Sequence, residues 1–181
     1  MIKIKRVLIA NFESSSSEAE AIRQTLECLG FMVFKINIAR PNNFIEILSD
    51  KIEFNFDYLI FTCHGKNNEI IMPILDKGVF EKGEPRKNFG YEEIQKYLKL
   101  KNKIIINTGC TTGNDKFLKV FSENNTYIAP KNYIEGNSIL PFITILFYEI
   151  SKNENLKQAF EKSKNIDKET LNFTFIEKEQ D

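Results

Sequence analysis

The 181-residue chain has 42% apolar residues and 16 phenylalanines, which suits a globular fold with a substantial core and excludes a disordered chain. Its 25 basic and 25 acidic side chains cancel, so no global charge points to nucleic acid or to an anionic membrane surface. Three cysteines, Cys28, Cys63 and Cys110, are an odd number without zinc-type spacing, which argues against a disulfide framework or a structural metal.

The start lacks the long apolar region and small-residue cleavage site of a secretion signal, so it reads as a first strand of a cytoplasmic protein with reduced thiols. The longest apolar helix candidate, residues 139–150, is interrupted by Pro141 and Thr144 and is too short to span a bilayer. Residues 6–11 form the first strand. Val7 to Ala10 are apolar at consecutive positions, as in a strand covered on both faces. After a loop, Ser17 and Glu20 make a capping-box pattern that opens a helix. Ala19, Ile22, Leu26 and Leu29 share one face of it, and Gly30 ends it.

Residues 31–38 form a second strand. Pro41 opens a second helix with Phe44, Leu48 and Ile52 on one side, and residues 56–62 form a third strand. Strand, helix, strand, helix, strand in about sixty residues implies a parallel sheet with right-handed crossovers. The pattern then changes. Residues 69–75 and 79–80, around Asp76-Lys77-Gly78, predict a hairpin, and residues 81–88 a solvated charged loop.

Tyr91, Ile94 and Leu98 mark a third helix, and residues 103–108 a fourth strand. Asn114 or Asp115 can cap a helix that turns Phe117, Leu118 and Phe121 inward. A short strand over 127–130 and a helix over 139–150, apolar nearly all round, follow. Leu156, Ala159, Phe160 and Ser163 define the last helix, and the alternation of Leu171, Phe173 and Phe175 predicts an edge strand. One α/β domain over residues 1–181 is the organisation expected. The serines at 14–17 lack the glycines and lysine of a phosphate loop.

Two apolar runs end in chemistry. Asp57-Tyr-Leu-Ile-Phe-Thr-Cys-His-Gly65 delivers the only histidine, and Lys103-Ile-Ile-Ile-Asn-Thr-Gly-Cys-Thr-Thr-Gly113 delivers a cysteine. In an open parallel sheet, function gathers outside the carboxyl ends of the strands. If the third and fourth strands are neighbours, His64 and Cys110 stand side by side. Imidazole and thiol then form a minimal nucleophilic pair, with the histidine as base and the thiolate as attacker. An oxyanion intermediate needs donors, and the backbone N–H groups of Gly65 and Cys110 are the candidates. Cys63 should face away from His64, because successive strand residues alternate in direction.

A histidine-glycine after an apolar strand, about fifty residues before a small-residue-Cys-x-x-Gly turn, resembles the caspase-like cysteine peptidases. Phe61-Thr-Cys-His64-Gly65 and Asn107-Thr-Gly-Cys110-Thr-Thr-Gly113 are close to the bacterial caspase-related and CHAT-type versions. Residues 127–130, Gly136 and the helix with Phe142, Phe147 and Tyr148 resemble the second half of that family. The resemblance implies a three-layer sandwich, with a mostly parallel sheet of about six strands and helices on both faces. It implies endopeptidase activity through a His64–Cys110 dyad and a thioester acyl-enzyme, without a cofactor or metal. A backbone carbonyl would orient the imidazole. The partners implied are a protein or peptide substrate and a regulatory protein, not nucleic acid or membrane.

True caspases carry Gln-Ala-Cys-x-Gly; here Thr108 stands two before the cysteine, at a position that helps form the pocket for the residue preceding the cleaved bond. A neutral Thr108 gives no charge preference. The loop after the first strand contributes to that pocket in the family, which makes Phe12 and Glu13 candidates, Glu13 for a basic substrate side chain. The neutral Thr108 and the compact size also fit an inactive signalling or scaffold module that kept the fold.

Overall fold

Val7, Leu8, Ile9 and Ala10 are all fully buried, because the first strand, β1 (Arg6–Phe12), runs through the interior of a sheet covered on both faces. The computed structural model describes residues 5–12 and 15–178. Around β1 lie β2 (Met32–Ile38), β3 (Tyr58–Thr62), β6 (Ile104–Asn107), β7 (Thr126–Pro130) and β8 (Phe173–Ile176). The six-stranded order is β2-β1-β3-β6-β7-β8. All pairs are parallel except β7 with β8, which closes one edge antiparallel. A small separate hairpin is made by β4 (Gly65–Lys66) and β5 (Glu69–Ile70).

Helices cover both faces. On one side α1 (Ser16–Cys28), α5 (Ile139–Ser151) and α6 (Leu156–Lys164) pack Ala19, Ile22, Leu26, Phe142, Phe147 and Phe160 against the sheet. On the other, α2 (Pro41–Leu48), α3 (Tyr91–Tyr97) and α4 (Asp115–Ser122) contribute Phe44, Leu48, Ile94, Phe117 and Phe121. Among the described residues, no helix is long and apolar enough to cross a membrane.

The expected elements are present, with four local differences. The hairpin turns at Asn67-Asn68 rather than at 76–78. Both asparagines take positive φ, 54° and 62°, which a two-residue hairpin turn requires and asparagine tolerates. The capping box at Ser17 and Glu20 does not form. The helix starts two residues earlier, after Ser15, and Glu20 binds Arg23 and Lys35, the latter at 3.0 Å. An intrahelical and cross-element ion pair therefore outcompetes the cap. Phe12 is placed in the core, edge-on to Phe44 at 5.2 Å, because the strand runs one residue further than its apolar run suggested.

The charged loop at 81–88 is not wholly solvated. Glu84 is buried, and its carboxylate takes Arg40 at 2.7 Å and the N–H groups of Asn42 and Glu81, each at 3.0 Å. Those contacts dock the loop onto the start of α2, and the Arg40 guanidinium holds the Glu84 carboxyl down at about 2. Arg40→Met leaves that carboxylate buried without its cation and should cost about 3 kcal/mol in urea unfolding. Because the folded pKa lies below the ordinary 4.5, this stabilisation is full above pH 4.5. It is lost as the pH falls toward 2, so the variant should show a weaker acid-dependent loss than wild type.

Candidate active site

The parallel pairing of β3 with β6 holds a constant offset and sets Phe61 opposite Asn107. β3 ends at Thr62 and β6 at Asn107, so His64 and Cys110 each lie two or three residues past the carboxyl end of a paired strand. Both residues follow the carboxyl ends of interior strands, where side chains leave the core. His64 is exposed, and Cys110 is partly covered with its thiol 3.7 Å from the Ile134 carbonyl oxygen, which accepts its proton. Cys63, one residue before His64, is buried instead and donates to the Asn107 carboxamide oxygen at 3.2 Å. The alternation of strand directions therefore holds past the end of β3.

The two strand ends touch through their backbones. A β-carbon added at Gly65 would lie 2.0 Å from the Cys110 carbonyl oxygen and 2.9 Å from the Cys110 nitrogen and carbonyl carbon. Only the absence of a side chain at 65 permits that approach. On the other side of the turn, a β-carbon at Gly109 would meet the Cys63 sulfur at 3.0 Å and the Gly65 nitrogen at 3.2 Å. Gly113 is equally constrained, since a methyl there would fall 2.5 Å from the Ala129 carbonyl oxygen on β7.

Beneath the turn lies a buried polar circuit. Asn107 accepts the Gly109 N–H at 2.8 Å and donates to the Tyr127 hydroxyl at 3.2 Å. Tyr127 donates to the Thr112 carbonyl at 3.1 Å, and the Thr112 hydroxyl donates to the Gly109 carbonyl at 2.6 Å. Burial pushes both the Tyr127 hydroxyl and the Cys63 thiol up, so each stays protonated and neutral.

Thr108 is buried, and its hydroxyl donates to Glu18 of α1 at 3.0 Å. Glu13 lies outside the described residues. Glu18, which the sequence reading passed over, is therefore the acid that reaches the site. Burial pushes its carboxyl up to about 7, and the Thr108 hydroxyl pulls weakly the other way. Among the described residues, no cation offsets it. Asn11 extends this polar margin by donating to Asn37 at 2.9 Å and accepting from Thr62 at 3.2 Å. No group of three His, Cys, Asp or Glu converges as a metal site requires, among the described residues.

No protein-family model matches the chain, and no curated protein matches it in sequence. Among solved structures it is similar to the Arg-specific cysteine proteinase gingipain R, with a TM-score of 0.58 over 93% of this chain. The fold is caspase-like. At 12% identity the likeness is one of fold, and the chain spans 44% of the gingipain chain. Within this caspase-like sandwich, the His64 and Cys110 loops occupy the carboxyl edge of the two middle strands.

Gly65→Ala places a methyl against backbone that cannot rotate away, so it should cost at least about 2 kcal/mol in urea unfolding. Restoring glycine is the only substitution expected to recover it. Glu18 makes a second prediction. Between the unfolded value of 4.5 and about 7 the folded state binds the extra proton, so stability falls as the pH rises through that window. Glu18→Gln should remove the fall, whose upper limit is about 3 kcal/mol, when urea midpoints at pH 4.5 and 8 are compared.

Proposed function

We propose that the chain is a cysteine endopeptidase in which His64 is the base and Cys110 the nucleophile. The observation that carries this reading is the backbone contact between Gly65 and Cys110, which holds the two strand ends together. His64 takes the Cys110 proton, and the thiolate attacks the carbonyl carbon of the scissile peptide. The carbonyl π electrons become an oxyanion, held by the N–H groups of Gly65 and Cys110. Collapse expels the amine, which receives the proton from His64 and leaves a thioester. His64 then takes a proton from water, whose oxygen attacks the thioester and releases acid and thiol.

Substrate choice follows from Glu18. Above neutral pH its carboxylate sits beneath Thr108 with no cation beside it among the described residues, and it favours a basic side chain on the residue before the cleaved bond. Gingipain R, whose fold this chain shares, is described as arginine-specific, which fits the same reading.

A peptidyl chloromethyl ketone should label wild type and fail to label Cys110→Ala, with His64→Ala slowing labelling about 100-fold or more. Mass spectrometry locates the adduct, and modification of Cys28 or Cys63 in its place would contradict the assignment. Cleavage of fluorogenic peptides at pH 8 should favour Arg or Lys over Asp at the residue before the cut. Glu18→Gln should lower kcat/KM for the basic peptides by about 30-fold and leave apolar ones nearly unchanged.

A further inference from the structure

The peptidase reading needs the Cys110 N–H to point at a developing oxyanion, and the turn contains a device that fixes that direction. A trans peptide is planar, so its C=O and N–H point opposite ways. The carbonyl of the Gly109–Cys110 peptide is tied inward: it accepts the Thr112 hydroxyl at 2.6 Å and the Thr112 N–H at 3.3 Å. The N–H of the same peptide must therefore face outward. Among the described residues, no hydrogen bond takes it up. The peptide between His64 and Gly65 is tied in the same manner, since the His64 carbonyl accepts the Ile71 N–H at 2.9 Å.

We infer that Thr112 is a positioning residue, whose hydroxyl clamps the Gly109 carbonyl and so aims the Cys110 N–H at the oxyanion. The inference rests on the peptidase reading of the site. Thr112 is fully buried, so water cannot substitute for its hydroxyl at that carbonyl. Its own position is set from the sheet. Its carbonyl accepts from Tyr127 on β7, which in turn accepts from Asn107 on β6, and Asn107 also holds the Gly109 N–H. Both polar groups of Gly109 are thus held by side chains, and the loop of contacts closes on two rigid strands. A donor held this way needs no reorganisation when charge develops, which is the condition for large transition-state stabilisation.

The test compares wild type with Thr112→Val, which keeps the shape and removes the hydroxyl, and with Thr112→Ser, which restores it. Basic-residue fluorogenic peptides give kcat and KM, and the matching peptide aldehyde reports the tetrahedral adduct. Thr112→Val should lower kcat about 10- to 100-fold with KM within about threefold, and should weaken the aldehyde by the same factor as kcat. Thr112→Ser should recover both to within about threefold, a rescue that a packing role alone would not give. Should Thr112→Val not fold, Thr112→Ala, which removes atoms and adds none, is read in the same way. An active wild type whose hydroxyl-free variant keeps kcat and aldehyde affinity overturns the role of Thr112 and leaves the peptidase standing. A wild type that neither cleaves peptides nor binds any aldehyde overturns the peptidase and this role together.

Discussion

Everything at the carboxyl edge of the sheet depends on one contact, the backbone of Gly65 lying on the backbone of Cys110. The contact is made of main chain on both sides, so neither partner can give by changing rotamer. It follows from two simpler facts. β3 and β6 are parallel neighbours in register up to Phe61 and Asn107, so the loops that follow them leave the sheet side by side. Residue 65 has no side chain, so the loops can close over the seam rather than splay apart. A thiol and an imidazole anywhere else in this fold would be two unrelated surface groups. Here the chain cannot hold one strand end without fixing the other.

The polar groups behind that contact fall into two kinds, and the difference between them separates scaffold from function. Asn107, Tyr127, Thr112 and Cys63 are buried and mutually hydrogen-bonded, and among the described residues no buried side-chain nitrogen or oxygen lacks a partner. Burying such groups unpaired would cost a few kcal/mol each, so a closed circuit is the arrangement that tolerates burial and rigidifies the turn. Glu18 is different. The hydrogen bond from Thr108 does not compensate for desolvation, which pushes the carboxyl up to about 7, and among the described residues no cation lies beside it. A charge-capable group left in that condition at a strand edge suits a charged ligand better than it suits stability.

Much of this was legible in the sequence, for physical reasons that also explain the failures. Continuous apolar runs such as Tyr58 to Phe61 and Ile104 to Ile106 can only be doubly covered strands, so the parallel sheet and the neighbouring ends of its two middle strands could be read directly. Asn114 announced α4 because a side-chain oxygen there accepts from Lys116 and Phe117, as local chemistry requires. The misreadings came where distant partners decided the outcome. Glu20 reads as a cap partner until Lys35 on β2, together with Arg23, takes its carboxylate. Glu84 looks solvated until Arg40, forty-four residues away, is folded against it. Phe12 depends on Phe44 for the same reason. Glu18 gave no signal at all, since its meaning lies in a hydroxyl ninety positions further on.

The turn itself shows how firmly the backbone around Cys110 is held. Thr111, directly after Cys110, has φ of 62°, a left-handed conformation that a β-branched residue rarely accepts. Such a conformation persists only where the surroundings over-determine it. Three segments do so. The Thr111 N–H donates to the Asn132 carbonyl at 3.2 Å, its hydroxyl accepts from the Asn68 N–H at 3.1 Å, and its carbonyl accepts from Asn114 at 2.9 Å. The hairpin after His64, the loop after β7 and the cap of α4 thus converge on the residue beside the thiol. The loop after β7 also supplies the Ile134 carbonyl that receives the thiol proton. The fold thereby pins the backbone beside Cys110 from three segments, while the sulfur itself rests on the Ile134 carbonyl.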